Sequence, residues 1–257
     1  MTPGKIVAFV PARSGSQGVK GKNWRELSGE PLIKWTLDFA LSCNNIEKIV
    51  LSTDSPEICE IGSEGKLKSS GFSGLNEDIT VQVSKKVFIH KRKAEQAGTY
   101  SLISEVLFDF TRNHGLNKEF TELLLLQPTS PFRYLEEFER LLDLSRSQSE
   151  WSSVVSVKNV GGMHPDRMYK LSPHWAVPFL DQSLGDNRPR QLLESLYIKD
   201  GAYYLLKTDN LLNRVLLGSK ILAFMRSGLR TVNIDTEEDF AYAEYAALAL
   251  RERGEWL

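Results

Sequence analysis

Short apolar runs of strand length alternate with longer stretches of helical period along most of this chain of 257 residues. The runs include KIVAFV at 5–10, EKIVLSTD at 47–54, VFIHKR at 87–92 and TELLLLQ at 121–127. A run as continuously apolar as the last fits a central strand covered on both faces, and strands alternating with helices are typical of βαβ units. The pattern therefore predicts an α/β fold with a doubly wound, mostly parallel, Rossmann-like sheet.

Helices are predicted between these runs at 31–43, at 55–64 with Ser55 as N-cap, and at 99–115, where Gly115 takes the C-terminal capping role. Further along, ILAFMR (221–226) and TVNID (231–235) are predicted strands. A last helix is predicted from Thr236, because Thr236 and Asp239 match a helix start signal. It is expected to bury some of Phe240, Tyr242, Tyr245 and Leu248.

Two regions interrupt the alternation. Residues 64–86 are rich in Gly, Ser and Lys and are predicted to be an exposed insertion with a possible strand in ITVQV. Residues 150–206 contain four strand-like runs and one possible short helix, PRQLLESLY, which suggests a small inserted lobe of antiparallel character. We therefore expect one domain over 1–257 whose lobe covers the active face or pairs with another subunit, so that a homodimer is expected.

Composition excludes several classes of protein. A formal net charge of −1 argues against a surface that binds nucleic acid as a whole, so any anion site must be local. The cysteines, Cys43 and Cys59, lie at no metal-ligand spacing and are expected to be free buried thiols. The sequence has no secretory signal pattern and no apolar run long enough to span a bilayer, so a cytoplasmic protein without membrane partners is expected.

The loop after the first strand, VPARSGSQGVKGKNW (10–24), carries Arg13, Lys20 and Lys22 among glycines and serines. Glycines allow a close backbone approach, and successive amides with nearby cations suit phosphate oxygens. The spacing is neither that of a P-loop nor a clean G-x-G-x-x-G, so the residues alone leave open a surface turn with solvated cations. Ligands bind at the carboxyl ends of strands in such sheets, where this loop and QPTSPFR (127–133) both emerge.

The loop resembles the opening signature of the acylneuraminate cytidylyltransferase family, the CMP-sialic acid synthetases and their legionaminate and pseudaminate relatives, which reads roughly P-A-R-x-G-S-K-x-x-x-x-K-N. Other segments resemble the family's in the same order, so that the resemblance covers most of the chain: VLSTD, RKAEQAG, LLLLQPTSPFR, PRQLLESLYIKDGAYYL and NIDTEEDF. It implies the nucleotide-diphospho-sugar transferase type of fold. The implied reaction is attack of the C2 hydroxyl of a nonulosonic acid on the α-phosphate of CTP, with release of pyrophosphate.

By match to the family's motifs, the nucleotide side would comprise Arg13, Ser16, Gln17, Lys20, Lys22, Asn23 and Arg92. Arg13 and Lys22 would hold the triphosphate and count, with Asp235, as catalytic, while Asn23 and Arg92 would address the cytidine. The alternatives are a solvated loop for Lys20 and Lys22, a loop-fixing amide for Asn23 and a strand-end charge for Arg92.

The resemblance also implies a Mg²⁺ cofactor, held by Asp235 and Asn233. The family usually has an aspartate where this chain has Asn233. A neutral amide oxygen is a weaker ligand than a carboxylate, so weaker metal binding is expected. The alternative for Asp235 is a second helix-capping carboxylate.

The sugar-side positions implied by the resemblance are Gln127, Arg190, Gln191 and Tyr204. An arginine fork suits the carboxylate of a nonulosonic acid. The alternatives are a strand cap for Gln127 and a core strand residue for Tyr204.

Three positions depart from the family's pattern: Gln17 replaces the signature lysine, Thr99 replaces an aspartate, and Asn233 is described above. Lys20 could supply the missing cation from another direction. The departures leave open a non-catalytic nucleotide or sugar-acid binding protein of the same fold, or the same chemistry on another sugar or nucleotide. A dinucleotide-dependent oxidoreductase fits less well, because only Asp54 follows the second strand as a ribose-binding acid.

Overall fold

The computed structural model describes residues 4–15, 18–98, 100–180 and 188–255. In this part of the chain a central sheet has eight strands in the order β12-β8-β11-β7-β1-β4-β6-β5. The remaining strands form two short antiparallel pairs, β2-β3 and β9-β10. The strands are β1 (Ile6–Pro11), β2 (Glu26–Leu27), β3 (Glu30–Pro31), β4 (Ile46–Thr53), β5 (Ile79–Gln82), β6 (Val87–Lys91), β7 (Glu122–Leu125), β8 (Ser153–Asn159), β9 (Tyr169–Ser172), β10 (Trp175–Pro178), β11 (Tyr197–Lys207) and β12 (Ile221–Met225).

The sheet is mostly parallel, as predicted. Only β11 and β5 are antiparallel to their neighbours in the described sheet, so the other six strands point the same way. Strand β7 lies between β1 and β11, and Leu123 to Leu126 are at most 2% exposed. The run of leucines is therefore a central strand and the residue following it, covered on both faces.

Helices cover both faces of the sheet, as the predicted doubly wound fold requires. Helices α1, α2 and α5 contribute to one hydrophobic cluster, and α4 and α6 contribute to the cluster on the opposite face. No described helix is long and apolar enough to cross a membrane. The helices are α1 (Leu32–Ser42), α2 (Pro56–Gly62), α3 (Ser69–Ser73), α4 (Ile103–Asn113), α5 (Leu135–Ser147), α6 (Thr208–Leu212) and α7 (Glu237–Glu252).

The predicted capping residues occupy their expected places. Ser55 Oγ accepts a hydrogen bond from the backbone N–H of Ile58, which caps α2. Thr236 and Asp239 form a reciprocal capping box at the start of α7. Gly115 follows the end of α4 with φ of 57°, a left-handed conformation that glycine adopts without steric cost.

Helix α5 has no counterpart in the sequence prediction. Nearly half of its sequence, LEEFERLLDLSRS, is charged, and its buried apolar residues are confined to Phe138, Leu141 and Leu142 among the described positions. The spacing of three and four residues was the available signal, because it places these side chains on one face.

Two local predictions were wrong, and a third needs a correction. TVNID forms no strand in the described structure. Its first residue ends a 3-10 turn, Gly228–Thr231, and the Ile234 N–H donates to the Thr129 carbonyl of the QPTSPFR loop. PRQLLESLY contains only a 3-10 turn at Arg190–Leu192. The region 64–86 is mostly exposed and contains the predicted strand as β5, but Phe72 of α3 is 1% exposed and anchors it.

The last helix buries less aromatic surface than its sequence suggested. Phe240 is buried, whereas Tyr242, Tyr245 and Leu248 are 50–59% exposed. The buried face is completed mainly by small residues at helical spacing, Ala243, Ala246, Ala247 and Leu250. Alanines let the helix backbone approach the chain beneath it closely, which leaves the larger side chains on the outer face.

The segment outside the main sheet is narrower than the predicted 150–206. Strands β8 and β11, at its two ends, pair with each other within the eight-stranded sheet. Between them in sequence lies the antiparallel hairpin β9-β10, whose side chains are nearly all exposed. A cover for the active face or a subunit contact in this segment stays a prediction.

Candidate active site

A pocket of about 490 Å³ opens where the parallel strands end. Pro11 at the end of β1, Arg92 after β6 and Gln127 after β7 all line it. The carboxyl ends of these strands meet at one edge of the sheet, which is where ligands bind in folds of this type.

Seven of the residues singled out in the sequence line this one pocket although they come from separate segments. They are Arg13, Lys22, Asn23, Arg92, Gln127, Asn233 and Asp235. The set holds three cations and one carboxylate. A concave site with convergent cations is suited to a polyanionic ligand.

The opening loop is fixed by its own polar groups. The Ser14 backbone N–H and hydroxyl donate to the two carboxylate oxygens of Asp54, at 2.8 and 2.5 Å. Asn23 Nδ2 donates to the Arg13 carbonyl at 3.0 Å, and Arg13 Nη1 donates to the Gly98 carbonyl at 2.7 Å. Asp54, the candidate ribose ligand of an oxidoreductase, is thus engaged in holding this loop.

Lys22 is a buried cation and not a solvated one. It is 8% exposed, and its Nζ donates to the Ile234 carbonyl at 2.6 Å and lies 3.3 Å from Asp235 Oδ1. The ammonium has three N–H donors, so one stays available for a ligand after these two contacts. The lysine therefore links the opening loop to the segment before α7 at the pocket wall.

Arg92 is 5% exposed and projects from the end of β6 towards the pocket. Its Nε and Nη2 donate to the hydroxyl and the carbonyl of Ser52, and no hydrogen bond from Nη1 occurs within the described residues. Burial lowers the pKa of Arg92 to about 10, against the opposing effect of the nearby Asp54 carboxylate. The guanidinium is therefore still charged at neutral pH and has one nitrogen free to donate.

Gly18 allows the two sides of the pocket to touch. A Cβ built at this position would lie 1.8 Å from the backbone oxygen of Asp235, a separation that no side chain tolerates. The absence of a side chain at Gly18 therefore permits contact between two protein segments, in addition to any close approach of a ligand.

Asp235 presents its carboxylate to the pocket rather than to the helix. Its side chain is 66% exposed, and the capping of α7 is done by Thr236 with Asp239, which accepts from the N–H groups of Asp235 and Thr236. Asn233 Nδ2 donates to Asp235 Oδ2 at 2.6 Å, and Asn233 Oδ1 accepts from Ser130 Oγ. In this orientation the amide nitrogen, not the amide oxygen, faces the carboxylate.

The QPTSPFR loop rests on a buried charged network whose residues were not among those predicted from the sequence. Arg133 is fully buried and donates to Ala202 O, Thr36 Oγ1 and Gln127 O, which fixes the backbone of Gln127. Burial lowers the pKa of Arg133 to about 10. The loop therefore has a rigid support beneath its pocket face.

Arg226 completes this support. It pairs with Asp200 at 2.7 Å and Glu137 at 3.0 Å and donates to the Phe132 carbonyl. Burial alone would lower the pKa of Arg226, but the two carboxylates outweigh burial and raise it. The strand-end position of Arg226 in ILAFMR was the available signal, since a charge closing an apolar run needs a partner.

Sequence reasoning also missed one wall of the pocket. Leu102, Ile103 and Val106 at the start of α4, with Ser101 just before them, also line it. The predicted helix start at residue 99 concealed that the three apolar side chains face the pocket. The pocket thus combines a charged wall with an apolar one.

The other predicted site residues lie elsewhere or outside the described structure. Lys20 is exposed and Tyr204 packs against the hydrophobic cluster beside α4, where burial raises its pKa. Arg190 and Gln191 are exposed in their 3-10 turn. None of these four lines the pocket as described. Ser16, Gln17 and Thr99 lie outside the described residues.

A second groove, of about 470 Å³ between α1 and the start of α5, has a different character. Glu30, Asp38 and Glu136 line it, and its cation, Arg133, is already bonded to protein oxygens. Its acidic lining disfavours phosphates, so the first pocket is the candidate active site.

Comparison with known proteins supports the resemblance read from the sequence. A family model described as cytidylyltransferase matches residues 7–74. The chain is 28% identical over 251 residues to the CMP-N,N'-diacetyllegionaminic acid synthase of Legionella pneumophila, covering 93% of this chain and 95% of that protein. It is 29% identical over 245 residues to an N-acylneuraminate cytidylyltransferase of Streptococcus agalactiae and 25% identical over 241 residues to that of Escherichia coli. The predicted resemblance is thereby confirmed.

The last two matches include 93% of this chain, but the chain spans only about half the length of each of these relatives. Among solved structures, a CMP:2-keto-3-deoxy-manno-octonic acid synthetase complexed with CTP matches 96% of this chain and 99% of its own, with a TM-score of 0.60 and 15% identity. A 4-diphosphocytidyl-2C-methyl-D-erythritol synthase from Anaerococcus prevotii matches 93% of this chain and 96% of its own, with a TM-score of 0.54 and 13% identity. These likenesses confirm the predicted fold class.

Proposed function

We propose that this chain is a cytidylyltransferase that activates a sialic-type sugar acid with CTP, giving a CMP-sugar and pyrophosphate. The observation that carries the proposal is the convergence of Arg13, Lys22 and Arg92 on one pocket at the carboxyl edge of the sheet. The names of the relatives agree with it.

The pocket is suited to phosphoryl transfer, which asks a protein mainly to position the reactants and neutralise charge. Arg13 and Lys22 would bind the triphosphate, and both are held in place before a ligand arrives. Arg92 would donate its free Nη1 to the nucleotide. Asn23 uses Nδ2 to hold the loop and keeps Oδ1 to accept a hydrogen bond. The sugar's C2 hydroxyl would then replace pyrophosphate on the α-phosphorus.

Mg²⁺ is part of the proposal, and the donor atoms at the pocket fit it. The exposed Asp235 carboxylate is an oxygen donor at the pocket, as Mg²⁺ requires, and one carboxylate with substrate phosphates is a common Mg²⁺ environment. Asn233 would have to rotate its amide to offer oxygen. Asp235 would therefore hold the ion, which when bound neutralises charge on the phosphates, while Lys22 keeps the carboxylate in position.

On the sugar side, Gln127 is the predicted residue within the pocket, and its backbone is fixed by Arg133. The sugar would contact Arg190, Gln191 and Tyr204 only if it extended beyond the described pocket, towards the segment between β8 and β11. Which nonulosonic acid is bound depends on contacts in that segment.

A homodimer in the cytoplasm completes the proposal. Hairpin β9-β10 exposes Leu171 by 87% and Trp175 by 74%, and apolar surface of this kind is typical of a protein interface. Sedimentation of the purified chain would test it, since a monomer at micromolar concentration would contradict the dimer.

Nucleotide binding tests the proposed pocket directly. Calorimetry with CTP should show one site per chain, with CTP preferred over UTP, ATP and GTP. Arg92→Met should weaken CTP binding by about 10-fold or more, because it removes a charged donor from a buried position. Arg190→Met, which alters an arginine outside the pocket, is the matched control and should bind CTP normally. Equal binding of all four nucleotides, or normal CTP binding by Arg92→Met, would contradict the proposed nucleotide site.

A further inference from the structure

Three metal-binding side chains meet at the β5 edge of the sheet, and none of them lines the candidate active-site pocket. They are Asp78 before β5, His90 in β6 and His114 after α4, and their ligand atoms all lie within 4.8 Å of one another. Asp78 Oδ1 lies 3.3 Å from His90 Nε2 and 3.5 Å from His114 Nε2. Ligands about 2.0–2.1 Å from a tetrahedral zinc ion lie about 3.3 Å apart, so the two distances match a zinc site.

Each of the three side chains has a second partner on the side away from the others. His90 Nδ1 lies 2.9 Å from Ser52 Oγ, and His114 Nδ1 lies 3.4 Å from Thr80 Oγ1. Asp78 Oδ2 accepts from Asn113 Nδ2 at 2.8 Å. Outer partners of this kind fix the tautomer and orientation of metal-binding histidines and carboxylates.

His114 Nε2 supplies an independent observation. This nitrogen is buried and has no hydrogen-bond partner among the described residues, which is rare for a buried polar atom. His90 is 1% exposed, so its two ring nitrogens are held away from solvent, one near Ser52 and the other near Asp78.

We propose that Asp78, His90 and His114 form a structural site for a divalent transition metal of the zinc class. Two imidazole nitrogens favour zinc over Mg²⁺ or Ca²⁺, which prefer oxygen ligands. A water molecule completes the tetrahedral coordination, because Asp78 Oδ2 is engaged by Asn113 and Lys93. Lys93 Nζ lies 3.4 Å from Asp78 Oδ2. This ammonium balances the charge of the carboxylate when no metal is bound, and it repels the metal ion when one is bound.

The site would tie the β5–β6 pair to the end of α4 and would act on the candidate active site through one link. With Nε2 on the metal, His90 Nδ1–H donates to Ser52 Oγ, which also accepts from Arg92 Nε at 3.3 Å. Metal binding therefore fixes the hydroxyl that positions Arg92.

The test uses the full chain freed of metal by EDTA and dialysis. Calorimetry with ZnCl₂ should give one equivalent per chain, and at a hundredfold excess over Kd the Tm should rise by roughly 5 °C or more. Without CTP, whose phosphates belong to the proposed Mg²⁺ site at Asp235, MgCl₂ should do neither. Cobalt(II) in place of zinc should give the absorption bands of tetrahedral coordination, a readout that a purely structural histidine cluster does not produce.

Variants separate this site from other histidines. His114→Ala and Asp78→Asn should weaken zinc binding by more than about 100-fold, the upper end of what loss of an outer partner costs. His174→Ala, at an exposed histidine elsewhere, should bind as the unaltered protein does, and Lys93→Met should bind more tightly. Absence of stoichiometric zinc binding, or unchanged binding by a folded His114→Ala or Asp78→Asn, would overturn the proposal.

Discussion

Two lysines of the opening loop, Lys20 and Lys22, are close in sequence but differ in environment. Lys22 is 8% exposed and bonded to the segment before α7, whereas Lys20 is exposed and does not line the described pocket. A buried cation at a phosphate site acts in a less screened environment than a solvated one. A comparison of variants of the two lysines therefore distinguishes a charge that acts in the pocket from a general surface charge.

We predict that Lys22→Ala lowers kcat/KM for CTP by about 10²- to 10³-fold, the usual effect of removing one charge-stabilising donor. Lys20→Ala, which removes the same charge from the same loop, should change it by less than about threefold. Pyrophosphate release at varied CTP measures both. Equal losses in the two variants would show that Lys20 replaces the missing signature cation and that the pocket is wider than described.

At the residue scale, seven pocket residues were predicted from the sequence because they match the motifs of the family that the chain resembles. The sequence did not predict the residues that hold them. Arg133 and Arg226 act through backbone carbonyls and buried carboxylates that are distant in sequence, such as Asp200 and Glu137. A contact of that kind has no local pattern and depends on the completed fold.

At the scale of elements, contact between the opening loop and the α7 entry depends on one glycine. An alanine at Gly18 would place a methyl group 1.8 Å from Asp235 O, while Gly15 in the same loop has nothing within 4 Å of an added Cβ. We predict that Gly18→Ala destabilises the protein by about 1–3 kcal/mol and lowers activity, because the loop must shift. Gly15→Ala should stay within about 0.5 kcal/mol.

Urea unfolding and turnover of the two variants test this contact. A Gly18→Ala protein with normal stability and activity would show that the loop and the α7 entry do not touch in solution. The comparison with Gly15→Ala removes any general effect of replacing a loop glycine.

Elements with strong local signals were predicted, and elements set by tertiary context were not. The caps at Ser55 and Thr236 and the run of leucines in β7 are local patterns, and each was confirmed. TVNID has strand-like residues, but its backbone bonds to the QPTSPFR loop instead of joining a sheet. Helix α5 has apolar residues on one narrow face, so its charged residues concealed the period.

At the scale of the whole molecule, the fold brings charged residues from distant parts of the chain to one pocket. They are Arg13 and Lys22, Arg92, and Asp235. The sheet order places β1 between β4 and β7, so that the opening loop lies between the segments that carry Arg92 and Gln127. The segment before α7 closes the site by its contacts with Lys22 and Thr129. The arrangement explains why the predicted residues are scattered in sequence and adjacent in space.

The most direct test of the account is pyrophosphate release by the purified chain with CTP and Mg²⁺, run against sialic, legionaminic and pseudaminic acids. We predict release with at least one of these acids and a loss of about 10²-fold or more in Asp235→Ala, whose carboxylate is the proposed Mg²⁺ ligand. CTP binding without release for any acid would contradict the cytidylyltransferase and favour a non-catalytic binding protein. Full activity in Asp235→Ala would contradict the proposed catalytic site.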